Sequence, residues 1–481
     1  MYFNQVFEPR LAQNSYIIGC QETGEAIVID PMRDIERYLE IALKESLKIV
    51  AVSETHIHAD YLSGLREFAE RFGTLILVSD EGTEEWKYDW VMNSKCNFKL
   101  LKSNDTFQIG NIKFEVIHTP GHTPEHISFI VSDLIGGKGN AMGILSGDFV
   151  FAGDVGRPDL LESAAGQTGT MKPSAKDLYN SLQTFKTLPD YLQLWPGHRA
   201  GSACGKSMSS VPVSTVGYEL QSNLAIKETD NEKKFVDYIL YGQPEPPMYF
   251  ARMKRENRFG PKLLGKVPEP DKLSAGKLAG IISENNAAIV DTRSWEEYKI
   301  GHIHGSIFAP LNNSFSTVTG SYITPDMSIY LIIDEKQLKQ AVNGLIRIGL
   351  DNVPGFITPD DLLVYQKNDG ELIESGEVNT SELKTKLNDE DVFLLDVRGA
   401  SELDEIGYIK GAYNIAHTRL HYRFNEIPGD KIVMVQCRTG SRSKYAFSFL
   451  EKKGFKVDHV TGGILEWINA GNKVEKTNKI S

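Results

Sequence analysis

The sequence predicts a multidomain α/β protein: a β-rich first half, then two copies of a small α/β domain with mainly parallel sheets. Three observations predict it. Short apolar runs bounded by turn residues fill positions 1–240. A stretch rich in proline and glycine, 242–275, interrupts that texture. Beyond it one block recurs: "AIVDTRSWEEYKIGHIHGSIFAP" (288–310) matches "FLLDVRGASELDEIGYIKGAYNIA" (393–416), a period of roughly 105 residues.

In the first half, "SYIIGC" and "EAIVID" flank the turn "QETGE" and read as a hairpin. "DIERYLEIALKES" has helical spacing, and "LKIVAVSET" is a buried strand that runs into His56 and His58. "IKFEVIHTP", "HISFIVSD" and "MGILSGDFVFAGD" supply further strands. The candidate ligands are His56, His58, Asp60, His122, Asp148 and His198, and each sits where a strand ends, a place that holds side chains rigidly. The segment 246–272 reads as a linker partly packed on the first domain, with a basic cluster of Arg252, Lys254 and Arg255 that could meet an anionic substrate. In the repeat, each copy runs apolar strand, Asp-x-Arg, short acidic helix, Gly-x-Ile-x-Gly and a further extended segment. "SIYLIID" (328–334) then aligns with "IVMVQC" (432–437). Strands alternating with helices at this spacing imply parallel sheets.

Composition bounds the function. The 481 residues are 41% hydrophobic and 24% charged, as in soluble globular proteins, and allow several domains. A net charge of −12 counts against nucleic acid or an anionic membrane as partner. No apolar run reaches the ~20 residues that span a bilayer, and "MYFNQVFEPR" lacks the features of a signal peptide. Four cysteines (Cys20, Cys96, Cys204, Cys437) without a C-x-x-C pair fit reduced thiols in the cytoplasm.

Cys437 stands between the strand "KIVMVQ" and the helix "SKYAFSFLEKKG", in the loop "CRTGSR". There it meets backbone N–H groups, the positive end of a helix dipole, Arg438 and Arg442, which favour a nucleophilic thiolate. Together with "LLDVRG" and "GYIKGAYNIA", these residues resemble the rhodanese family of sulfurtransferases over roughly 375–470. The resemblance implies that Cys437 carries sulfane sulfur as a persulfide, cradled by Arg438, Thr439, Gly440, Ser441 and Arg442. The six-residue loop fits the sulfurtransferase branch rather than the related phosphatases. In the first copy Asp334 stands at the cysteine's place, so that copy looks like a degenerate rhodanese domain, a spacer or docking surface.

Across 1–240, "THIHAD", "TPGHT", "LSGD" and "LWPGH" in that order resemble the metallo-β-lactamase fold, an αββα sandwich. Two-metal hydrolases of that fold carry H-x-H-x-D-H, and here Tyr61 replaces the last histidine. A phenol of pKa about 10 is a poor ligand for a divalent ion, so one metal is expected. Two histidines and a carboxylate with open positions make the triad of non-haem Fe(II) oxygenases. The persulfide dioxygenase branch resembles this chain and implies Fe(II), one per chain, on His56, His122 and Asp148. His58, Asp60, Tyr61 and His198 then stand behind the ligands. Arg157 in "GDVGRPDL" takes the place of an arginine that helps to bind the thiol part of the substrate, and Cys204 is a candidate persulfide acceptor. His118 and His126 read as structural, as do Cys20 and Cys96.

The whole order resembles persulfide dioxygenase–rhodanese fusions. Expected domains are 1–245 (dioxygenase), 246–272 (linker), 273–367 (degenerate rhodanese) and 375–475 (active rhodanese). The resemblance implies oxidation of a low-molecular-weight persulfide with O₂ to sulfite, and transfer of sulfane sulfur through Cys437 to or from sulfite and thiosulfate, for sulfide detoxification. The thiol carrier stays open among glutathione, coenzyme A, bacillithiol and cysteine, and a homo-oligomer is compatible. The alternative is a zinc thioester hydrolase of the glyoxalase II type joined to a sulfurtransferase.

Overall fold

A computed structural model describes residues 1–163, 168–284 and 286–476. The chain divides into two compact units, Met1–Val267 with Ile346–Gly349, and Pro268–Leu345 with Leu350–Ser481.

The first unit packs two six-stranded sheets. One runs Tyr2–Glu8, Gln13–Cys20, Glu25–Ile29, Lys48–Ser53, Leu75–Ser79 and Phe98–Leu101 in sequence order. Its first three strands pair antiparallel and the rest parallel. The expected hairpin is present, with Tyr16 opposite Ile29 and Cys20 opposite Glu25. The second sheet is ordered Ser214–Thr215, Gln193–Pro196, Ala141–Gly147, Ile127–Asp133, Ile112–His118 and Thr106–Ile109. Between the sheets lies a core that includes Ile18, Ile27, Leu77, Phe114, Phe129 and Leu145. The helices Glu36–Lys44 and Leu65–Phe72 cover one outer face through Tyr38, Ala42 and Phe68. Met171–Phe185 and Glu232–Leu240 cover the other through Leu178, Leu182 and Phe235. Alternating side chains along each strand leave both faces apolar, and such a pair of sheets must bury both. The result is an αββα sandwich. The segment expected as a linker contains the helix Tyr249–Phe259, which buries Phe250, Met253 and Asn257. The Asn257 side chain donates to the carbonyls of His58 and Tyr61, tying this helix to the first domain's loop.

In the second unit the duplication is exact in topology. One five-stranded sheet is ordered Asp271–Lys272, Gly355–Ile357, Ser328–Ile332, Ala287–Asp291, Ile307–Phe308. The other is ordered Gly376–Val378, Lys456–Val460, Ile432–Gln436, Val392–Asp396, Tyr413–Asn414, and every pairing in both is parallel. The repeated Asp-x-Arg is a fold element. Arg398 grips Asp396 and reaches the Gly407 carbonyl at 2.9 Å, as Arg293 grips Asp291 and reaches Gly301 at 2.9 Å. Each arginine thereby pins the far end of its short acidic helix to the strand. The first copy lies against the helix Ser441–Lys452 of the second. Ser448 accepts from Phe308 N at 2.9 Å, Glu451 meets His302 Nε2 at 3.0 Å, and Trp295 donates to Glu377 at 2.7 Å.

Register corrects one expectation. Asp291 pairs with Ile332 as Asp396 pairs with Gln436, so Ile333, fully buried, holds the place of Cys437. Asp334 lies one residue further on, exposed, and caps the turn Glu335–Gln337 by accepting from Lys336 N. The apolar run of the strand simply extends one position beyond the letter alignment.

Candidate metal centre and thiol cradle

His56, His122, Asp148 and His198 all follow strand ends, and the loops that carry them meet at one end of the sandwich. Gly147 makes the approach of Asp148 workable. It sits at φ +51°, and a Cβ there would lie 2.5 Å from Thr55 Oγ1 and 2.7 Å from His126 Nε2. His126 Nε2 accepts from the Asp148 backbone N–H at 3.1 Å, while its Nδ1 meets Thr119 Oγ1 at 2.8 Å.

Each imidazole of the expected triad is held through Nδ1. His56 Nδ1 meets Thr55 Oγ1 at 3.0 Å, and His122 Nδ1 meets the Arg157 carbonyl at 3.1 Å. Their Nε2 atoms stand 3.9 and 3.5 Å from Asp148 Oδ2, an oxygen that is buried with no hydrogen-bond donor. The three ligand atoms lie within 4.8 Å of one another. Burial and the neighbouring imidazoles of His58 push the pKa of His56 well down, and burial lowers His122 as well, so both are neutral. Burial alone would raise the carboxyl of Asp148, but His198 and His122 hold it below the usual carboxylate range. Two neutral imidazoles and an ionised carboxylate with an orphaned oxygen are a donor set that fits one divalent metal ion.

The other candidates behave differently. His198 bridges two carboxylates, Nδ1 to Asp148 at 2.7 Å and Nε2 to Asp60 at 2.9 Å. Burial works against its charge, yet Asp148 and Asp60 raise its pKa to about 10. Asp60, His198 and Cys204 form a second cluster, their ligand atoms within 4.8 Å of one another. Burial and then Asp148 push the Cys204 thiol well up, which keeps it protonated and weakly nucleophilic. The Tyr61 hydroxyl donates to the Asp30 carbonyl at 3.3 Å and accepts from Gln13 at 3.1 Å. Burial pushes its phenol pKa well above the ordinary value, so no phenolate is offered. Asp30, which the sequence reading missed, organises this corner. Its carboxylate accepts from Thr55 N at 2.7 Å and meets His58 Nε2 at 3.1 Å. An aspartate between an apolar strand and Pro31 was its only sequence signal. The buried guanidinium of Arg157 is held by Asp159, at 2.8 and 2.6 Å, and by the Ala203 carbonyl at 2.8 Å. Its fork thus ties two loops together, and its backbone carbonyl aims His122.

In the second unit Cys437 is buried. Gly440, at φ +97°, turns its N–H toward Sγ at 3.2 Å, and Ser443 Oγ lies 3.5 Å from the same sulfur. Ser443 was not anticipated from sequence. Thr439 and Ser441 are exposed on the loop rim. Arg442 is held by Glu402, with NH2 to Oε2 at 2.7 Å, and the same carboxylate accepts from Gly399 N at 3.2 Å. One glutamate therefore caps the short acidic helix and fixes the arginine beside the thiol. Arg438 points outward, 3.7 Å from Glu405. All four cysteines are free. No helix among the described residues is long and apolar enough to cross a membrane.

An αββα sandwich with strand-end histidines, followed by a doubled parallel-sheet domain with one cradled thiol, defines an enzyme with a candidate metal site joined to a thiol-bearing domain pair. Comparison with known families agrees: residues 9–198 match the metallo-beta-lactamase superfamily, and 274–354 and 379–470 match the rhodanese-like domain. A solved structure of a metallo-beta-lactamase from Staphylococcus aureus subsp. aureus COL is 40% identical, with a TM-score of 0.66, covering 75% of this chain and 98% of that one. The chain belongs to the metallo-β-lactamase superfamily and carries two rhodanese-like domains. The mitochondrial persulfide dioxygenase ETHE1 of Bos taurus is 26% identical over 40% of this chain, and the match spans 66% of that protein, just under two thirds. A hydroxyacylglutathione hydrolase of Actinobacillus pleuropneumoniae is 24% identical over 47% of this chain and 82% of its own.

Proposed function

We propose that the first unit is a single-iron persulfide dioxygenase and that Cys437 is the sulfur carrier of a coupled sulfurtransferase. The observation that carries the reading is the division of donors around Asp148. Its Oδ2 has no hydrogen-bond partner and faces the Nε2 atoms of His56 and His122 at 3.9 and 3.5 Å, whereas its Oδ1 is committed to His198. A two-histidine, one-carboxylate set leaves adjacent positions free, which is what joint binding of a sulfur substrate and O₂ requires. Fe(II) held by these residues would supply the electron transfer that activates O₂.

The remaining work falls to the chain. Thr55 and the Arg157 carbonyl orient the imidazoles, and His126 fixes the backbone of Asp148. His198, protonated between Asp60 and Asp148, keeps the second carboxylate pair charge-balanced without a second metal. The overall oxidation takes RSSH, O₂ and H₂O to RSH, sulfite and two protons. At Cys437 the thiolate attacks the sulfane sulfur of a second persulfide, the new S–S bond replaces the old one, and RS⁻ leaves. Sulfite then takes the outer sulfur as thiosulfate and restores the thiolate. Gly440 N–H and Ser443 O–H stand ready to stabilise that sulfur's charge. One chain holding both sites raises the effective concentration of the shared intermediate.

A second reading, a two-metal thioester hydrolase, draws on the Asp60, His198 and Cys204 cluster and on the hydrolase relative. The test is O₂ uptake by Fe(II)-loaded protein given glutathione persulfide, with metal counted per chain. Uptake that scales with one iron supports the dioxygenase. Two zinc ions per chain, thioester cleavage and no uptake overturn it. Cys437→Ser should abolish thiosulfate formation while sulfite release continues.

A further inference from the structure

The copy without a thiol reaches the back of the Cys437 cradle through one residue. Trp295 opens the short helix Trp295–Ile300, and the matching helix of the second copy, Ala400–Ile406, opens with Ala400. The fold therefore accepts a methyl at this position, and the indole serves something else. Trp295 is buried, and its side chain lies on the second copy. Its Nε1 donates to Glu377 Oε1 at 2.7 Å. Its ring meets Phe447 at 5.8 Å and His459 at 5.3 Å between centroids, at 84° and 73°. Lys299, one helical turn on, donates to the other oxygen of Glu377 at 3.1 Å. Glu377 and His459 are register partners on adjacent parallel strands. The indole is thus anchored at one strand and lies against a ring on the next.

His459 in turn faces the cradle. A Cβ on Gly440 would stand 3.5 Å from His459 Cε1, 3.6 Å from its Nε2 and 3.4 Å from Gly462 N. The imidazole and the Gly462 backbone therefore wall the bare side of this glycine, whose N–H points at Cys437 Sγ from 3.2 Å. The carbonyls of Cys437 and Arg438 are tied down by Ile464 N at 2.8 Å and Leu465 N at 3.1 Å. Gly440, at φ +97°, has no side chain to lock it, so the aim of its N–H depends on what packs against it. His459 Nδ1 makes no hydrogen bond, so the orientation of that ring depends on its neighbours, of which Trp295 is one.

We infer that Trp295 is a positioning residue for sulfur transfer. Through His459 it keeps the Gly440 N–H on the Cys437 sulfur, so that the copy without a thiol sets the reactivity of the copy that has one. This rests on the reading of Cys437 as the sulfur carrier. When the sulfite lone pair takes the outer sulfur of the persulfide, the electrons of the broken S–S bond return to Cys437. The Gly440 N–H stabilises the charge that forms there. A donor displaced from that line loses most of its effect in the transition state, so kcat falls while KM for sulfite stays.

The experiment follows thiosulfate formed from glutathione persulfide and sulfite by the full-length chain, with the rate–pH profile of Cys437 alkylation by iodoacetamide read on the same proteins. Trp295→Leu should lower kcat about three- to tenfold, with KM for sulfite held within about twofold. It should also raise the midpoint of the alkylation profile by about 0.5 to 1 pH unit. The charged groups around the cradle, Arg442 on Glu402, Arg438 beside Glu405 and Lys444 over Trp295, are present in every variant. Trp295→Phe keeps a ring on His459 and should hold both readouts near the wild type. His459→Ala removes the middle link, leaves the indole its bond to Glu377, and should reproduce the loss. The double variant Trp295→Leu with His459→Ala should lose no more than the larger single change, because both act along one path. Where the leucine variant does not fold, as judged by circular dichroism, His459→Ala carries the test. A contact that merely holds the two copies together would leave kcat and the midpoint in place, or speed alkylation at every pH. Either result overturns the inference, as does full additivity in the double variant. Thiosulfate formation that persists in Cys437→Ser would sink the sulfur-carrier reading, and the alkylation profile would still decide whether Trp295 sets the reactivity of the thiol. Cys437-dependent thiosulfate with kcat and midpoint indifferent to residue 295 would do the reverse.

Discussion

Acidification should weaken the rhodanese unit through its neutral histidines with buried Nδ1 atoms, His417 and His459, and the share of His459 can be isolated. His459 is 1% exposed, sits on the strand Lys456–Val460 opposite Val435, and its Nδ1 has no hydrogen-bond partner. Trp295 presents an edge to its ring at 5.3 Å. Burial first, and then Lys444, lower its pKa from 6.5 to about 4, with Glu377 opposing. Above pH 6.5 neither the folded nor the unfolded state holds the extra proton. Between 6.5 and about 4 the unfolded chain binds a proton that the folded one refuses, so stability falls as pH falls, and the loss is complete below about 4. The gap corresponds to roughly 3 kcal/mol at most. Urea unfolding should be compared at about pH 7.5 and about pH 4.5, with opening of this unit read by labelling of Cys437 with dithiodipyridine, which reacts in acid. His459→Phe, which cannot titrate, removes this contribution. The wild type should therefore lose roughly 2–3 kcal/mol more than the variant across that interval. Equal losses in the two proteins would refute the reasoning, because other titrating groups are common to both.

Three further outcomes are expected. Tyr61→Phe removes one hydrogen bond to the Asp30 carbonyl and one from Gln13, whose Nε2 keeps the Asn14 carbonyl at 2.8 Å. Stability should fall by about 1 kcal/mol with metal per chain unchanged by elemental analysis; lost metal would make the phenol a ligand. Gly147→Ala forces a Cβ against Thr55 and His126 from a backbone at φ +51°, costing about 1–3 kcal/mol. Calorimetry should show a lower Tm together with reduced metal occupancy, and an unchanged Tm would contradict the crowding. Stripping metal with a chelator should end O₂ uptake yet leave the alkylation rate of Cys437 as it was, since Gly440, Ser443 and the neighbouring Arg442 of its own domain surround that sulfur. A slowed alkylation would mean that the thiol also depends on the metal.

The ends of strands were legible because an apolar run that stops at a histidine shows both a sheet and its rim, as in "LKIVAVSETHIH". The duplicated domain was legible from its own repetition. What escaped depends on pairs distant in the chain or on register. Asp30 reaches Thr55 and His58 across neighbouring strands, and no local pattern announces that. The pairing of Arg157 with Asp159, two positions later, is likewise not announced by the motif that names the arginine. The slip from Ile333 to Asp334 arose because letters were matched at the end of a continuous apolar run, where only sheet pairing sets the count. In 246–272 the flanking prolines and glycines masked the helix Tyr249–Phe259, although Phe250, Met253 and Asn257 recur at helical intervals.

The doubled domain also decides how this chain can be cut. The helix that follows Cys437 has its outer side covered by the copy that lacks a thiol, through Phe308, His302 and the Lys452 contact with the Gly305 carbonyl at 3.3 Å. Excising the active copy alone would strip that cover. Ser448, Glu451 and Phe447 would then meet water, two polar groups without their native partners and one aromatic ring against solvent. A truncation that begins at residue 375 is therefore a different object from the same residues in the whole chain, and sulfur-transfer assays on such a fragment would report on an exposed helix as much as on the cysteine it carries. The indivisible piece is the pair.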